Sequence, residues 1–284
     1  MGPDIIARIE SLTGTRVVNR TALSGGCVAE VYRATLADGA SLVAKIGRSQ
    51  SGLAIEGFML TYLRTKSRLP VPDVLWADDR LLLMTHVEAG DGLTAEAQIH
   101  AAVLLAELHG IRAETYGFEC DTLIGGLHQP NPPTRRWIDF FRDQRLLYMG
   151  GEALRSGRLP SALHGRLETF AARLETWLEE PTAPSLIHGD MWSGNVLCRN
   201  GRIAAFIDPA LSYADAEIEL AFATLFGTFG EAFFRRYQEI CPLRAGFFEE
   251  RRDIYNLYPL LVHVRLFGGG YVGSVERILR RFGG

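Results

Sequence analysis

Eight consecutive residues, His188-Gly189-Asp190-Met191-Trp192-Ser193-Gly194-Asn195, followed by Ile207-Asp208-Pro209, constrain this chain more than any other segment. Asp190 and Asn195 must share one short loop, and the residues after them predict how a further acid reaches the same place. Val196 to Cys198 alternates as a strand does, Asn200-Gly201 is a hairpin turn, and Ile203 to Ile207 reads as a buried strand ending at Asp208. Loop and hairpin together bring Asp190, Asn195 and Asp208 to one side of the fold.

The trio has the D-x-x-x-x-N spacing and the later acid of a phosphoryl-transfer site. Asp190 is positioned to take a hydroxyl proton, while Asn195 and Asp208 are positioned to hold magnesium beneath the phosphates of ATP. A lone H-G-D would carry little, because an Asp after Gly is commonly a turn residue. The weight lies in the agreement of motif, spacing and strand context.

Composition narrows the remaining classes. A chain of 284 residues, 47% hydrophobic and 22% charged, buries a sizeable core as one large unit or two lobes. Its net charge of −3 argues against a nucleic-acid partner. No apolar run approaches the roughly 20 residues that cross a membrane, and Met1 to Arg20 lacks a secretory pattern, so a cytoplasmic location is expected. Cys27, Cys120, Cys198 and Cys241 show no metal or dithiol spacing, and reduced, mostly buried thiols are expected. Arginine supplies 28 of the 30 basic residues; the lysines are Lys45 and Lys66.

The first part of the chain reads as a small antiparallel sheet with one helix. Strands at Val17 to Ala22 and Val28 to Ala34 flank Ser24-Gly25-Gly26-Cys27, and Ala37-Asp38-Gly39 turns into a third strand, Ser41 to Ile46. Gly25 and Gly26 lack side chains that would keep backbone N–H groups away from phosphates. Lys45 on the third strand and Glu56 in a helix from about Ala54 to Thr65 form the pair that anchors nucleotide phosphates in kinase lobes. Val74 to Ala77 and Leu81 to Val87 complete the sheet, and the backbone of Thr85 and Val87 would meet an adenine edge, with His86 contributing main chain. Glu88 to Gly92 reads as a connector, which divides the chain into a nucleotide-binding lobe, 1–87, and a catalytic and substrate-binding lobe, 88–284.

Beyond Thr94, a helix N-cap, the pattern turns helical. Ile99, Val103, Leu104 and Leu108 recur at helical spacing and predict a core-facing stripe ending at His109-Gly110. Further helices are expected around Arg135 to Tyr148, Leu163 to Leu178, Ala216 to Phe226, Ala232 to Ile240 and Phe247 to Leu266. The fold class is α+β and bilobal, with a small antiparallel sheet lobe and a larger, mainly helical lobe.

These motifs carry a family resemblance. Gly25-Gly26-Cys27, the H-G-D-x-W-S-G-N loop, Ile207-Asp208-Pro209-Ala210, Tyr213, Glu217, Leu225-Phe226-Gly227 and Phe267-Gly268-Gly269-Gly270-Tyr271 together resemble the fructosamine kinase (ketosamine-3-kinase) family. Tyr116-Gly117-Phe118, Ile124-Gly125 and Gln129-Pro130-Asn131-Pro132 do the same, and the likeness runs from residue 24 to residue 280. It implies a protein-kinase-like fold and ATP- and Mg2+-dependent phosphorylation of the third-carbon hydroxyl of a ketosamine, small or protein-bound, whose unstable product releases the amine. Asp190 would be the base, Asn195 and Asp208 the metal ligands, Lys45 and Glu56 the phosphate anchor, and Trp192 a platform for the sugar. His188 is read as orienting the loop; Asn131, Trp137, His263 and Tyr271 are read as structural.

The Pro after Asp208, where protein kinases carry Phe-Gly, argues against an activation-loop switch. Cys27, at the tip of the glycine-rich loop, is a candidate redox residue, with an inert loop thiol as the alternative, and the chain is expected to be a monomer or a redox-dependent homodimer. Two rivals stand beside this reading. One is a kinase for an aminoglycoside or choline-like acceptor, for which Asp215, Glu217 and Glu219 would offer an acidic groove. The other is a nucleotide-binding pseudokinase, disfavoured because Lys45, Asp190, Asn195 and Asp208 are all present.

Overall fold

A computed structural model describes residues 1–23, 29–48 and 51–283. Gly25, Gly26 and Cys27, singled out above, lie outside the described residues. Helix α1 (Pro3–Thr13) comes first, and it corrects the expectation of a single helix in this part of the chain. Its signals are local: Pro3 at the first helical position, Asp4 in the first turn, and Gly14 at φ +70°, whose amide closes on the Glu10 carbonyl. Strands β1 (Val17–Ala22), β2 (Glu30–Leu36) and β3 (Ser41–Ile46) follow, then helix α2 (Leu53–Lys66) and strands β4 (Val74–Ala77) and β5 (Leu81–Thr85). The strands form one antiparallel sheet in the order β1-β2-β3-β5-β4, so β3 is central.

Strand periodicity decides what each face carries. Leu42 and Ala44 of β3, with Leu36, Leu81 and Leu83, pack under Ile9 of α1 in a core of their own. Lys45 lies between Val31 and Leu82 in register and points to the other face, where α2 packs. Gly57 brings α2 close: a Cβ there would stand 2.3 Å from the Ala77 side chain. The expected second and fifth strands are both present with shifted ends, at Glu30–Leu36 and Leu81–Thr85.

Helix α3 (Ala95–His109) starts where expected, with the Thr94 side chain accepting the Ala97 amide. The buried face is only partly the expected one. Leu108 is buried and Leu104 packs half-buried against the core, but Ile99 is 39% exposed, and Ala97, Ala101, Ala102 and Leu105 fill the rest of the face. Small residues at helical spacing permit close packing against a second helix, which a stripe of large residues would have held off. A hairpin of β6 (Thr122–Ile124) and β7 (Leu127–Gln129), absent from the sequence reading, comes next.

Helix α4 (Trp137–Phe140) runs through a π-helical stretch, Phe141–Leu147, into α5 (Tyr148–Arg155). Helix α6 (Ser161–Ala171) ends short of the expected Leu178. Strand β8 (Ser185–Ile187) then leads into the His188–Asn195 loop and the hairpin β9 (Val196–Arg199) and β10 (Arg202–Phe206). Strand β11 (Ser212–Ala214) pairs with β8. Helices α7 (Ala216–Leu225), α8 (Glu231–Ile240), α9 (Arg252–Phe267) and α10 (Gly270–Arg281) finish the chain.

The break between α9 and α10 needs glycine, because Gly268 (φ +65°, ψ −140°) and Gly269 (φ +61°, ψ −134°) occupy backbone space that other residues avoid. Trp137, Phe140, Phe141 and Tyr255 are buried against one another in the main core. Among the described residues no helix is long and apolar enough to cross a membrane.

Candidate active site

The His188–Asn195 loop begins where β8 delivers His188. Gly189 has φ +87°, and a Cβ there would stand 2.0 Å from the Ala210 carbonyl oxygen, so no larger residue fits. The Ala210 amide returns to the His188 carbonyl at 2.7 Å, which ties the loop to the segment after Asp208. Glu219, on α7 and fully buried, accepts the amides of Gly189 (2.8 Å) and His188 (3.3 Å). Its Oε2 also meets His109 Nε2 at 2.8 Å, and His109 Nδ1 meets the Tyr237 hydroxyl at 2.7 Å. His188 is buried beside the Asp190 amide, and burial depresses its pKa, so its ring is neutral at pH 7 and orients the loop.

Asn195 Nδ2 donates to both the carbonyl and Oδ2 of Asp190, each at 2.9 Å, which turns the Asn195 amide oxygen away from Asp190. Asn200 (φ +52°) and Gly201 (φ +68°) make the tight turn of the hairpin, as the Asn-Gly pair predicts. Asp208 stands just beyond its end at φ +54°, an uncommon conformation for a residue with a Cβ. Burial pushes the Asp190 carboxyl up to about 7; the Asn195 hydrogen bond opposes this, and the charges of Asp208 and Glu219 add to it.

Across the cleft, Lys45 Nζ donates to Glu56 Oε1 at 2.7 Å and pairs directly with Asp208 Oδ1. Burial alone would lower the Lys45 pKa, but the charges of Glu56 and Asp208 outweigh it and hold the ammonium above its usual value. Helix α2 is fixed from behind by Tyr62, whose hydroxyl lies 3.1 Å from that of Tyr213.

A cleft of about 270 Å³ holds Lys45, Glu56, Asp190, Trp192, Asn195 and Asp208 on its walls. The structure thus brings together six of the residues that the sequence singles out. Trp192 is 42% exposed, so it is not a core tryptophan, and its indole folds over Gly194: a Cβ on Gly194 would lie 2.2 Å from the ring. His263 lines the same cleft, more than the purely structural placement expected of it. Its Nδ1 donates to the Pro259 carbonyl at 2.7 Å, and its ring packs on Phe226 and Tyr271. Thr85 and Val87 stand at the end of β5 and are not among the described residues lining this cleft. The Thr85 amide is taken by the Asp73 carbonyl and the His86 amide by the Ser41 carbonyl, at 2.9 and 3.1 Å.

The donor set fits magnesium rather than a metal caged by protein. No group of three or more His, Cys, Asp or Glu side chains is placed to hold a metal among the described residues. Magnesium is ordinarily held by one or two carboxylates, phosphate oxygens and water, which matches Asp208, an amide oxygen from Asn195 and a nucleotide.

The acids of 215–219 do not form a groove. Asp215 pairs with Arg244 and accepts from the Tyr255 hydroxyl at 2.7 Å, while Glu217 is held by Arg244 at 3.0 Å and Arg251 at 2.6 Å. Asn131 and Trp137 are buried as expected, the latter donating from Nε1 to the Tyr255 hydroxyl. Cys120 is exposed, Cys241 partly so and Cys198 buried, which corrects the expectation of mostly buried thiols. Glu219 and His109 were not legible as site residues: both lie far from the loop in sequence, and Glu219 stands in an acid-rich stretch that resembles a helix surface.

A central-strand lysine paired with a helix glutamate, facing a loop acid, an amide and a post-hairpin acid, defines a protein-kinase-like phosphotransferase. Structures of that class share the fold at low identity: aminoglycoside phosphotransferase APH(4)-Ia superposes with TM-score 0.70 at 15% identity, 99% of each chain being covered. The fructosamine kinase family profile matches residues 1–282, and the chain belongs to that family.

The relatives agree. A protein of Synechocystis named "Probable ketoamine kinase" is 32% identical over 98% of this chain and 95% of its own. The chloroplastic protein-ribulosamine 3-kinase of Arabidopsis thaliana is 31% identical over 93% of this chain and 82% of its own. A Thermobifida fusca structure, provisionally named as a fructosamine-3-kinase, superposes with TM-score 0.88 at 32% identity over 99% of both chains.

Proposed function

We propose that this kinase transfers the terminal phosphoryl group of ATP to the third-carbon hydroxyl of a ketosamine, free or on a protein, giving an adduct whose breakdown restores the amine. The observation that carries the reading is the placement of Asp190, its carboxyl raised to about 7, beside an exposed Trp192 in a cleft whose other wall is Lys45, Glu56 and Asp208. The kinship with ketoamine and ribulosamine kinases supports the choice of acceptor.

Asp190 Oδ2 is oriented by Asn195 and takes the proton of the attacking hydroxyl. Trp192 offers an indole face to the apolar side of the sugar and sets the hydroxyl over Asp190. Lys45, held by Glu56, binds the phosphates. The glycine-rich segment at Gly25 and Gly26 would cover them from above, and the Thr85 carbonyl and Val87 amide would meet the adenine edge, with residues 1–87 as the nucleotide lobe and 88–284 as the acceptor lobe. Asp208 and the Asn195 amide oxygen would hold magnesium, which neutralises charge on the phosphates when bound.

The test is magnesium-dependent ADP release with fructose-, ribulose- and erythrulose-amine adducts beside an aminoglycoside and choline. Turnover with a ketosamine that vanishes in Asp190→Ala is expected. Turnover with another acceptor and none with any ketosamine would overturn the substrate assignment.

A further inference from the structure

The Gln129-Pro130-Asn131-Pro132 segment has no part in the chemistry above, yet Gln129 and Asn131 sit in a buried polar network that reaches two backbone carbonyls of the segment after Asp208. Gln129 Nε2 donates to the Ala210 carbonyl at 3.1 Å and to Thr122 Oγ1 at 2.8 Å, while its Oε1 accepts from the Tyr258 hydroxyl at 2.6 Å. Asn131 Nδ2 donates to Thr122 Oγ1 at 2.8 Å, and Arg145 in turn donates to Asn131 Oδ1 at 2.7 Å. With both acceptor sites filled, the Thr122 hydroxyl has one proton left, which goes to the Leu211 carbonyl at 3.0 Å. Each amide and hydroxyl therefore has one permitted orientation, and Thr122, Gln129, Asn131, Arg145 and Tyr258 are all at most 5% exposed.

The two carbonyls belong to the residues directly after Asp208-Pro209. Upstream of Asp208 the Ile207 amide meets the Asn195 carbonyl at 3.1 Å; downstream, proline supplies no N–H, so the left-handed Asp208 is held on that side by what holds Ala210 and Leu211. The Ala210 amide is on the catalytic loop at His188, and the Leu211 amide meets Met59 Sδ on α2 at 3.4 Å. The Ala210 carbonyl is also the atom that excludes a side chain at Gly189.

The geometry points to a positioning role for Thr122, Gln129 and Tyr258: they clamp the segment after Asp208 and so hold the Asp208 carboxylate at the place where it meets a metal. The β6–β7 hairpin, remote in sequence, is the base plate of the metal-binding strand end. None of the three is among the described residues lining the cleft; they act through the backbone. The clamp rests on Asp208 being a metal ligand, as proposed above.

Three variants test it: Tyr258→Phe, Thr122→Val and Gln129→Leu, with Thr122→Ser as the variant that keeps the hydroxyl. Amide hydrogen exchange of residues 207–212 is read in the metal-free protein, and the magnesium concentration for half-maximal ADP binding is read without any acceptor. Both measurements can therefore succeed where the ketosamine assignment fails. Losing one or two buried hydrogen bonds should speed local exchange about tenfold and raise the magnesium requirement about tenfold, with exchange in α6 unchanged and Thr122→Ser close to the parent. Should Gln129→Leu not fold, the two milder variants decide. Folded Tyr258→Phe and Thr122→Val with the parent's magnesium requirement would overturn the clamp, as would exchange raised equally throughout the helical part.

Discussion

Glu219 accepts the Gly189 amide at 2.8 Å from within the core, and with it the neighbouring His188 amide. The two N–H groups belong to a loop that bends through a positive φ and has no strand partner to satisfy them. Placing a side-chain acceptor there fixes the loop's path, and His109 Nε2 is the third hydrogen-bond partner of this buried side chain.

Replacing Glu219 by Ala should therefore be severe. Two amides and His109 Nε2 lose their acceptor, at a stability cost of roughly 3 kcal/mol or more, seen as a lower denaturation midpoint. Glu219→Gln keeps one acceptor oxygen and should fall between parent and Ala. Equal midpoints for all three proteins would refute the role.

Asp190 gives a pH prediction. It must be ionised to accept a proton, and its carboxyl lies near 7 because it is buried and faces Asp208 and Glu219. kcat/KM should drop about tenfold per pH unit below that value. Asn195→Ala removes the one hydrogen bond that lowers the pKa, so the acid limb of its residual activity should move to higher pH. A limb that stays in place would show that Asn195 does not act on this carboxyl.

Stability carries the opposite sign for this group. A carboxyl whose folded pKa is raised above its unfolded value favours the folded state when protonated, so ionisation as pH rises from about 4 to about 7 removes stability. Asp190→Asn should flatten that part of the stability profile, as chemical denaturation at several pH values would read. An unchanged profile would mean that the folded carboxyl titrates where the unfolded one does.

The site was legible where its parts are contiguous. Residues 188–208 contain loop, turn and strand in one run, and Asn200-Gly201 fixes the hairpin by itself. Lys45 and Glu56 were legible because a strand and the following helix place them, and a lysine-poor chain leaves Lys45 few rivals. What holds these parts was not. Glu219, Gln129 and Arg145 act over long sequence separations, and buried polar side chains look like surface ones when read locally. The face of α3 was legible only at Leu104 and Leu108, for a related reason: periodicity weights large residues, while Ala97 and Ala101 are buried because they are small. α1 carries its signals in its Pro3 and Gly14 ends, but its fully buried contribution to the core is Ile9 alone, with Ile5 packed half-buried against the same cluster.

Lys45 anchors the next prediction. Its ammonium stands between Glu56 and Asp208, so Lys45→Met leaves two carboxylates facing each other without a cation. The rate should fall about 100-fold or more, with ketosamine KM little changed. The folded pKa of Lys45 is raised, so its contribution to stability is complete below its unfolded value near 10.4 and fades as pH climbs through the folded one. Parent and variant should therefore differ in stability at pH 7 and converge in strong alkali. A constant difference across that range would argue against the ion pair.

Gly194 isolates the role of Trp192 without deleting the ring. The backbone there carries no positive φ, so alanine is tolerated by the main chain, but its Cβ would stand 2.2 Å from the six-membered ring of the indole. The ring must swing away from its seat on the loop, while Asp190 and Asn195, held by their own hydrogen bonds, stay. If Trp192 is the sugar platform, Gly194→Ala raises ketosamine KM about tenfold, the loss of roughly one aromatic contact, and leaves the KM for ATP near the parent value. Trp192→Phe should recover part of that loss in the Gly194→Ala background, since the smaller ring clears the new methyl. A change confined to ATP KM, or none in either constant, would place the sugar elsewhere in the cleft.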